Sequence, residues 1–314
     1  MPRKKIYWLL VIAGFIAAGA LSLLLKEKFL KEPKIPRHPE KLSVVTTFFP
    51  LYDFTKKIAE DKINLDILFS QTPEVVSFSP QDLKKINTAE MVIKNGIGLE
   101  PVLDELIASS DNTDITVIDT SVGAATLSTD HDIKFEEGVG EEGHGNRDPH
   151  IWLDPNNAII QVKNIRDALM SRDPTNADFY RENAENYTQE LRALDQEINE
   201  TIGKLSKKDF IAFHPAFQYF ANRYGLNQTA VIEEFPGKEP SLRYLFEVIK
   251  LIRKLGITVI FSEPQFSPKI IDVIARDLSL KVYQLNPIET GDPAKDSYIS
   301  IMRKNLETLR EALK

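Results

Sequence analysis

At 314 residues the chain exceeds the usual size of one domain, and 42% hydrophobic with 27% charged residues is the composition of a protein that buries a core. A formal net charge of −7 argues against a nucleic-acid binder, which needs a basic face, and suits a protein that attracts cations. The absence of cysteine rules out disulfides, thiolate metal sites and a lipidated N-terminal cysteine, so any metal must be held by His, Asp, Glu, Asn, backbone or water.

Arg3, Lys4 and Lys5 precede the uncharged run IYWLLVIAGFIAAGALSLLL, residues 6–25, long enough for a membrane-spanning helix. A cleaved signal peptide ending near Ala18-Gly19-Ala20 is the alternative. The apolar run continues past that site through Leu25, which favours an uncleaved anchor. Either fate leaves the bulk of the chain outside the cytoplasm: anchored to the cell membrane, or periplasmic or secreted after cleavage. Lys26, Lys28, Lys31, Lys34 and Arg37 follow the run, so flanking charge leaves its orientation open. Residues 26–41, charged and proline-rich, read as an exposed tether carrying His38.

From residue 42 the pattern is regular. LSVVTTFF reads as a strand, LYDFTKKIAED as a helix and INLDILF as a strand. SPQDLKKINTAE is a helix capped by Ser79 with Pro80 at its first position. The strand MVIKNG, the helix LEPVLDELIASS and the strand ITVIDT follow. Strands alternating with helices predict a mainly parallel sheet and an N-terminal α/β lobe over 42–172. The alternation breaks at 121–149, a loop rich in glycine and acids, before the helical NNAIIQVKNIRDALMSRD. Asp173 and Pro174 then open a long helix. Tyr180, Ala184, Tyr187, Leu191, Leu194, Ile198, Ile202 and Leu205 make one apolar stripe along it. At roughly 1.5 Å per residue it outspans one small lobe, so 173–206 is expected to link two lobes. The strand–helix grammar resumes over 207–314, beginning with DFIAFH and closing with DSYISIMRKNLETLREALK. The fold class is therefore α/β, with two similar parallel-sheet lobes, one long backbone helix and a ligand cleft at the C-terminal ends of the strands.

His131 and His144 lie in TDHDIKFEEGVGEEGHGNRD, which reads either as a solvated acidic loop or as a weak cation-collecting one. His150 sits in RDPHIWLDPNNA, where Pro149 and Trp152 are expected to aim it into the cleft, and His214 ends the strand DFIAFH at the C-terminal edge of the second sheet. Each alone suits a core or capping residue. One at the cleft edge of each lobe is the arrangement a metal gripped from both sides requires.

Several blocks in order resemble the zinc- and manganese-type solute-binding proteins of ABC importers: TTFFPLYDFTKKIAED, SPQDLKKINTAEMVIKNGIGLEPVLDEL, DPHIWLDPNNA, AFHPAFQYFANRYGL, EEFPGKEPSLRYL, IFSEPQFSPKIIDVIARDLSLKV and LNPIET. The likeness runs from about residue 42 to the C-terminus. It implies a metal-ligand set in which His150 and His214 hold the family's second and third histidine positions. The first histidine, from a motif resembling E-P-H-D-x-x-P-S-P, falls on Glu74 in TPEVVSFSPQD, and the fourth ligand, usually an aspartate, falls on Asn286 in QLNPIE. Glu263, in FSEPQ, is a carboxylate at a strand end that either reaches the cleft or braces the next loop.

The resemblance implies capture of Zn²⁺, with Mn²⁺ as the alternative, and delivery to an ABC permease, by a monomer whose linking helix limits lobe motion. Two changed ligands leave three outcomes open: an intact site of two histidines with carboxylate, a weakened one, or a changed ligand. An adhesin or scaffold on the same fold is the alternative function. An enzyme is not expected, because the chain has no nucleophile elbow, phosphate loop or HExxH helix.

Overall fold

The computed structural model describes residues 41–128, 147–267 and 269–314. The expected membrane segment 6–25, the tether with His38, and the acidic loop with His131 and His144 lie outside the described residues. Among the described residues no helix is long and apolar enough to cross a membrane.

Strands β1 (Ser43–Thr46), β2 (Asn64–Ile67), β3 (Met91–Lys94) and β4 (Thr116–Asp119) form one parallel sheet in the order β2-β1-β3-β4. Strands β5 (Asp209–Ala212), β6 (Asn227–Val231), β7 (Val259–Ser262) and β8 (Lys281–Gln284) repeat that order in a second parallel sheet, β6-β5-β7-β8. Val44, Val45 and Thr46 are all buried, as are all of β7, the mark of strands covered on both faces. The first sheet's helices are α1 (Phe49–Ala59), α2 (Pro80–Thr88) and α3 (Leu103–Ala108). Then come α4 (Pro155–Arg172) and α5 (Ala177–Gly203). The second sheet's helices are α6 (Gln218–Tyr224), α7 (Leu242–Leu255), α8 (Lys269–Leu278) and α9 (Tyr298–Ala312).

Two boundaries differ from expectation for local reasons. The strand read as LSVVTTFF stops at Thr46, because Pro50 lies in the first turn of α1, where its fixed φ and missing N–H suit a helix start. The long helix begins at Ala177 rather than Asp173. Asp173 Oδ2 accepts from Asn176 Nδ2 at 2.7 Å and Tyr180 Oη at 2.6 Å, closing a separate turn over Pro174–Asn176.

Helix α5 has 27 residues, about 40 Å at 1.5 Å each. Tyr180, Ala184, Tyr187, Leu191, Leu194, Ile198 and Ile202 are buried along one stripe, as their spacing predicts. That stripe packs on α4, α1 and α9, so the helix touches both halves of the chain. One buried carboxylate ties three helices together: Asp53 Oδ2 on α1 accepts from Tyr187 Oη (3.1 Å) on α5 and from the Tyr298 N–H (3.0 Å) on α9. Burial raises the Asp53 carboxyl above its ordinary value in spite of those donors. In each sheet the connections diverge at the centre, between β1 and β3 and between β5 and β7. Open α/β sheets bind ligands beyond the C-terminal strand ends at such switch points.

Candidate metal centre

His214 stands two residues beyond β5, and Glu263 directly follows β7, so both flank the second sheet's switch point. Glu289 follows β8 on the turn Asn286–Glu289. Asn286 Oδ1 accepts the Ile288 N–H at 2.7 Å, closing that turn. Ile288 has φ 65°, a left-handed conformation that costs a β-branched residue about 1–3 kcal/mol. The second amide-capped contact, Asn305 Oδ1 to the Asn286 N–H at 2.9 Å, fixes the turn to α9. The strained residue thus lies immediately before Glu289, whose side chain is fully buried.

From the other half, His150 precedes the short 3-10 turn Ile151–Leu153 that leads into α4. Its segment is held at several points. Asp148 Oδ1 accepts the His150 N–H at 2.9 Å, Asn95 Nδ2 donates to Pro149 O at 2.9 Å, and Tyr298 Oη donates to Trp152 O at 2.7 Å. Trp152 Nε1 donates to Pro287 O at 2.8 Å, linking the His150 segment to the Glu289 turn. Glu74 comes from the loop between β2 and α2, with its side chain 2% exposed.

These residues converge. Glu74, His150, His214 and Glu289 each offer one ligand atom, all within 4.8 Å of one another. The two Nε2 atoms are 3.3 Å apart. His150 Nε2 lies 3.3 Å from Glu74 Oε1 and 3.8 Å from Glu289 Oε1, and His214 Nε2 lies 3.1 Å from Glu289 Oε1. A tetrahedron with bonds of about 2.0–2.1 Å has edges of about 3.3 Å, close to these separations.

Each ring's other nitrogen is occupied. His150 Nδ1 is 2.7 Å from Asp148 Oδ1, and His214 Nδ1 is 2.8 and 2.7 Å from the two oxygens of Glu263. A carboxylate can only accept, so both Nδ1 atoms carry protons and donate, which turns both Nε2 atoms toward the cluster. Two lone pairs at 3.3 Å repel, and two N–H groups there would repel as well. A single proton shared between the rings leaves Glu289 Oε1 buried without a hydrogen bond. A cation at the centre satisfies every group together.

The charges point the same way. Burial by itself would lower the His150 imidazole, but the Glu74 and Asp148 carboxylates outweigh it and raise the ring to about 10. Burial opposes the charge on His214 too, and Glu263 and Glu289 raise it well above the ordinary value. Without metal the centre therefore holds imidazolium protons that an arriving cation must displace.

Of the residues singled out in the sequence, Glu74, His150 and His214 meet in the cluster. Asn286, placed in the fourth position by resemblance, lies in the turn that carries Glu289, where its side-chain oxygen accepts the Ile288 N–H. Glu263 takes the bracing place, against His214 Nδ1. Glu289 is the fourth member of the cluster, and sequence reasoning did not single it out. Its signal was a carboxylate three residues beyond Asn286 in the same strand-end turn.

The model of one protein family, ZnuA, the periplasmic zinc-uptake complex component A, matches residues 44–312. The chain belongs to this family. It is 32% identical over 278 residues to the zinc-binding lipoprotein AdcA of Streptococcus pneumoniae, a match covering 86% of this chain and 56% of AdcA. The chain thus spans about half the length of several curated relatives it matches. The high-affinity zinc uptake system protein ZnuA of Bacillus subtilis is 32% identical over 290 residues, 87% of this chain and 88% of the relative. Among solved structures, the solute-binding protein FpvC of Pseudomonas aeruginosa in complex with Mn²⁺ superposes with a TM-score of 0.76 at 30% identity, covering 87% of this chain and 98% of FpvC. The two-lobe α/β architecture is the one these relatives share, and the family is one of solute-binding proteins.

Proposed function

We propose that the protein captures one Zn²⁺ between Glu74, His150, His214 and Glu289 and delivers it to an ABC permease. The observation that carries this reading is the convergence of four ligand atoms, two imidazole Nε2 and two carboxylate oxygens, in a buried pocket formed by both halves of the chain. Four protein donors of nitrogen and oxygen at tetrahedral spacing suit zinc, while manganese takes more oxygen ligands. A Mn²⁺-bound neighbour of the same fold keeps Mn²⁺ as the second cargo. Four protein ligands leave no open coordination position, so the centre holds metal rather than activating water, in keeping with a transport role and not an enzymatic one. A pure adhesin would leave the convergence of buried carboxylates and imidazoles without a purpose.

Residues 42–172 and 207–314 act as the two lobes and 173–206 as their link. The protein works as a monomer outside the cytoplasm. Lacking cysteine, it cannot carry the cysteine-linked lipid of a lipoprotein, and residues 6–25 serve as its membrane anchor. The test is a thermal melt with and without metal. Zn²⁺ at about a thousand times its Kd stabilises a folded state that alone binds it by about 4 kcal/mol. An unchanged melting temperature at saturating Zn²⁺ and at saturating Mn²⁺ would refute capture.

A further inference from the structure

Gln265 lies on the turn between β7 and α8, two residues past Glu263, and plays no part in the four-atom cluster. Its Nε2 donates to Glu263 Oε2 at 3.2 Å and to Glu289 Oε2 at 3.3 Å. Both partners are carboxylates, so only the NH₂ end of the amide fits there. Its Oε1 is buried and makes no hydrogen bond. A residue kept only to fill space would not leave a buried oxygen without a partner, since an apolar side chain of the same length avoids that cost.

The consequence falls on Glu289. Its Oε1 faces His214 Nε2 at 3.1 Å, while its Oε2 is held by Gln265. A carboxylate with one oxygen hydrogen-bonded from behind presents a single oxygen to a metal. Released from that bond, it can swing both oxygens inward and bind through two. We propose that Gln265 is a specificity-determining positioning residue, which confines Glu289 to one-oxygen ligation and so favours four-coordinate Zn²⁺ over Mn²⁺. The same amide holds Glu263, which orients His214, so one side chain steadies a ligand and the support of a second. This inference rests on the metal-capture reading above.

The test replaces the amide by an isostere without donors, Gln265→Met, with Gln265→Leu as a second variant should the first fail to fold. Co²⁺ serves as the spectroscopic probe, because its visible d–d absorption is intense in four-coordinate sites and weak in five- or six-coordinate ones. Competitive titrations of Zn²⁺ and Mn²⁺ are run on the same full-length proteins. The unaltered protein should give the intense Co²⁺ band. The variant should lose most of that intensity, and its preference for Zn²⁺ over Mn²⁺ should fall by about tenfold or more, the scale of outer-shell effects on metal sites. An unchanged Co²⁺ band and an unchanged preference in a folded variant would overturn the role of Gln265 while leaving capture intact. Failure of the unaltered protein to bind any of the three metals would overturn both.

Discussion

Trp152 joins the two halves of the centre, and removing its donor has a calculable effect. The indole is fully buried, its Nε1 donates to Pro287 O at 2.8 Å, and its ring meets Phe48 edge-on with centroids 4.7 Å apart. Trp152→Phe keeps one ring in place but leaves the Pro287 carbonyl without its donor, a loss of about 1–3 kcal/mol for a buried group. The missing second ring leaves a void that adds about 1 kcal/mol. A total of roughly 2–4 kcal/mol, at about 2–4 °C per kcal/mol for a domain of this size, lowers the metal-free melting temperature by roughly 5–15 °C. Pro287 lies between Asn286 and the strained Ile288, so the Glu289 turn loosens as well. Zinc affinity should then fall by about 10–100-fold. Melting is followed by circular dichroism in chelator, and affinity by competition with a chromophoric chelator. A variant that melts within about 2 °C of the parent and binds zinc within about twofold would show that the two ligand segments are held independently, contrary to the geometry.

Three further outcomes follow. With His150 raised to about 10 and His214 well above its ordinary value, zinc displaces a proton from each ring, so affinity should rise by about two powers of ten per pH unit near neutrality; calorimetry in buffers of different ionisation enthalpy counts the protons released. For the metal-free protein the sign is opposite. Raised imidazole values stabilise the fold fully below the unfolded value of 6.5, and that contribution is lost as pH climbs through about 10, so the metal-free melting temperature should decline across that window. On α5, Leu191→Ala empties a fully buried position, and denaturant unfolding should show a loss of about 2–5 kcal/mol.

The apolar stripe of α5 and the alternation of strands and helices were legible because both are periodicities of the chain itself. So were His150 and His214, which stand out among five histidines because the sequence places one at the expected cleft edge of each lobe. Resemblance carried Glu74 to its place. It pointed to Asn286 and not to Glu289, because matching positions does not say which side chain of a turn faces inward. That choice is made by the Asn286–Ile288 hydrogen bond and the left-handed Ile288, neither of which has a sequence period. Gln265 was invisible for the same kind of reason: its importance lies in two partners, one of them 24 residues away. The stop of β1 at Thr46 was readable in principle from Pro50, whose preference for a first helical turn outweighs the β-propensity of the residues before it.

The account stands most directly on which residue supplies the fourth ligand. Zinc content and calorimetric affinity of the full-length protein should be measured beside Glu289→Ala and Asn286→Ala. The account predicts about one zinc per chain in the parent, loss of high-affinity binding in Glu289→Ala, and in Asn286→Ala a full complement of zinc held more weakly. Retention of parental affinity by Glu289→Ala, with loss in Asn286→Ala, would contradict it.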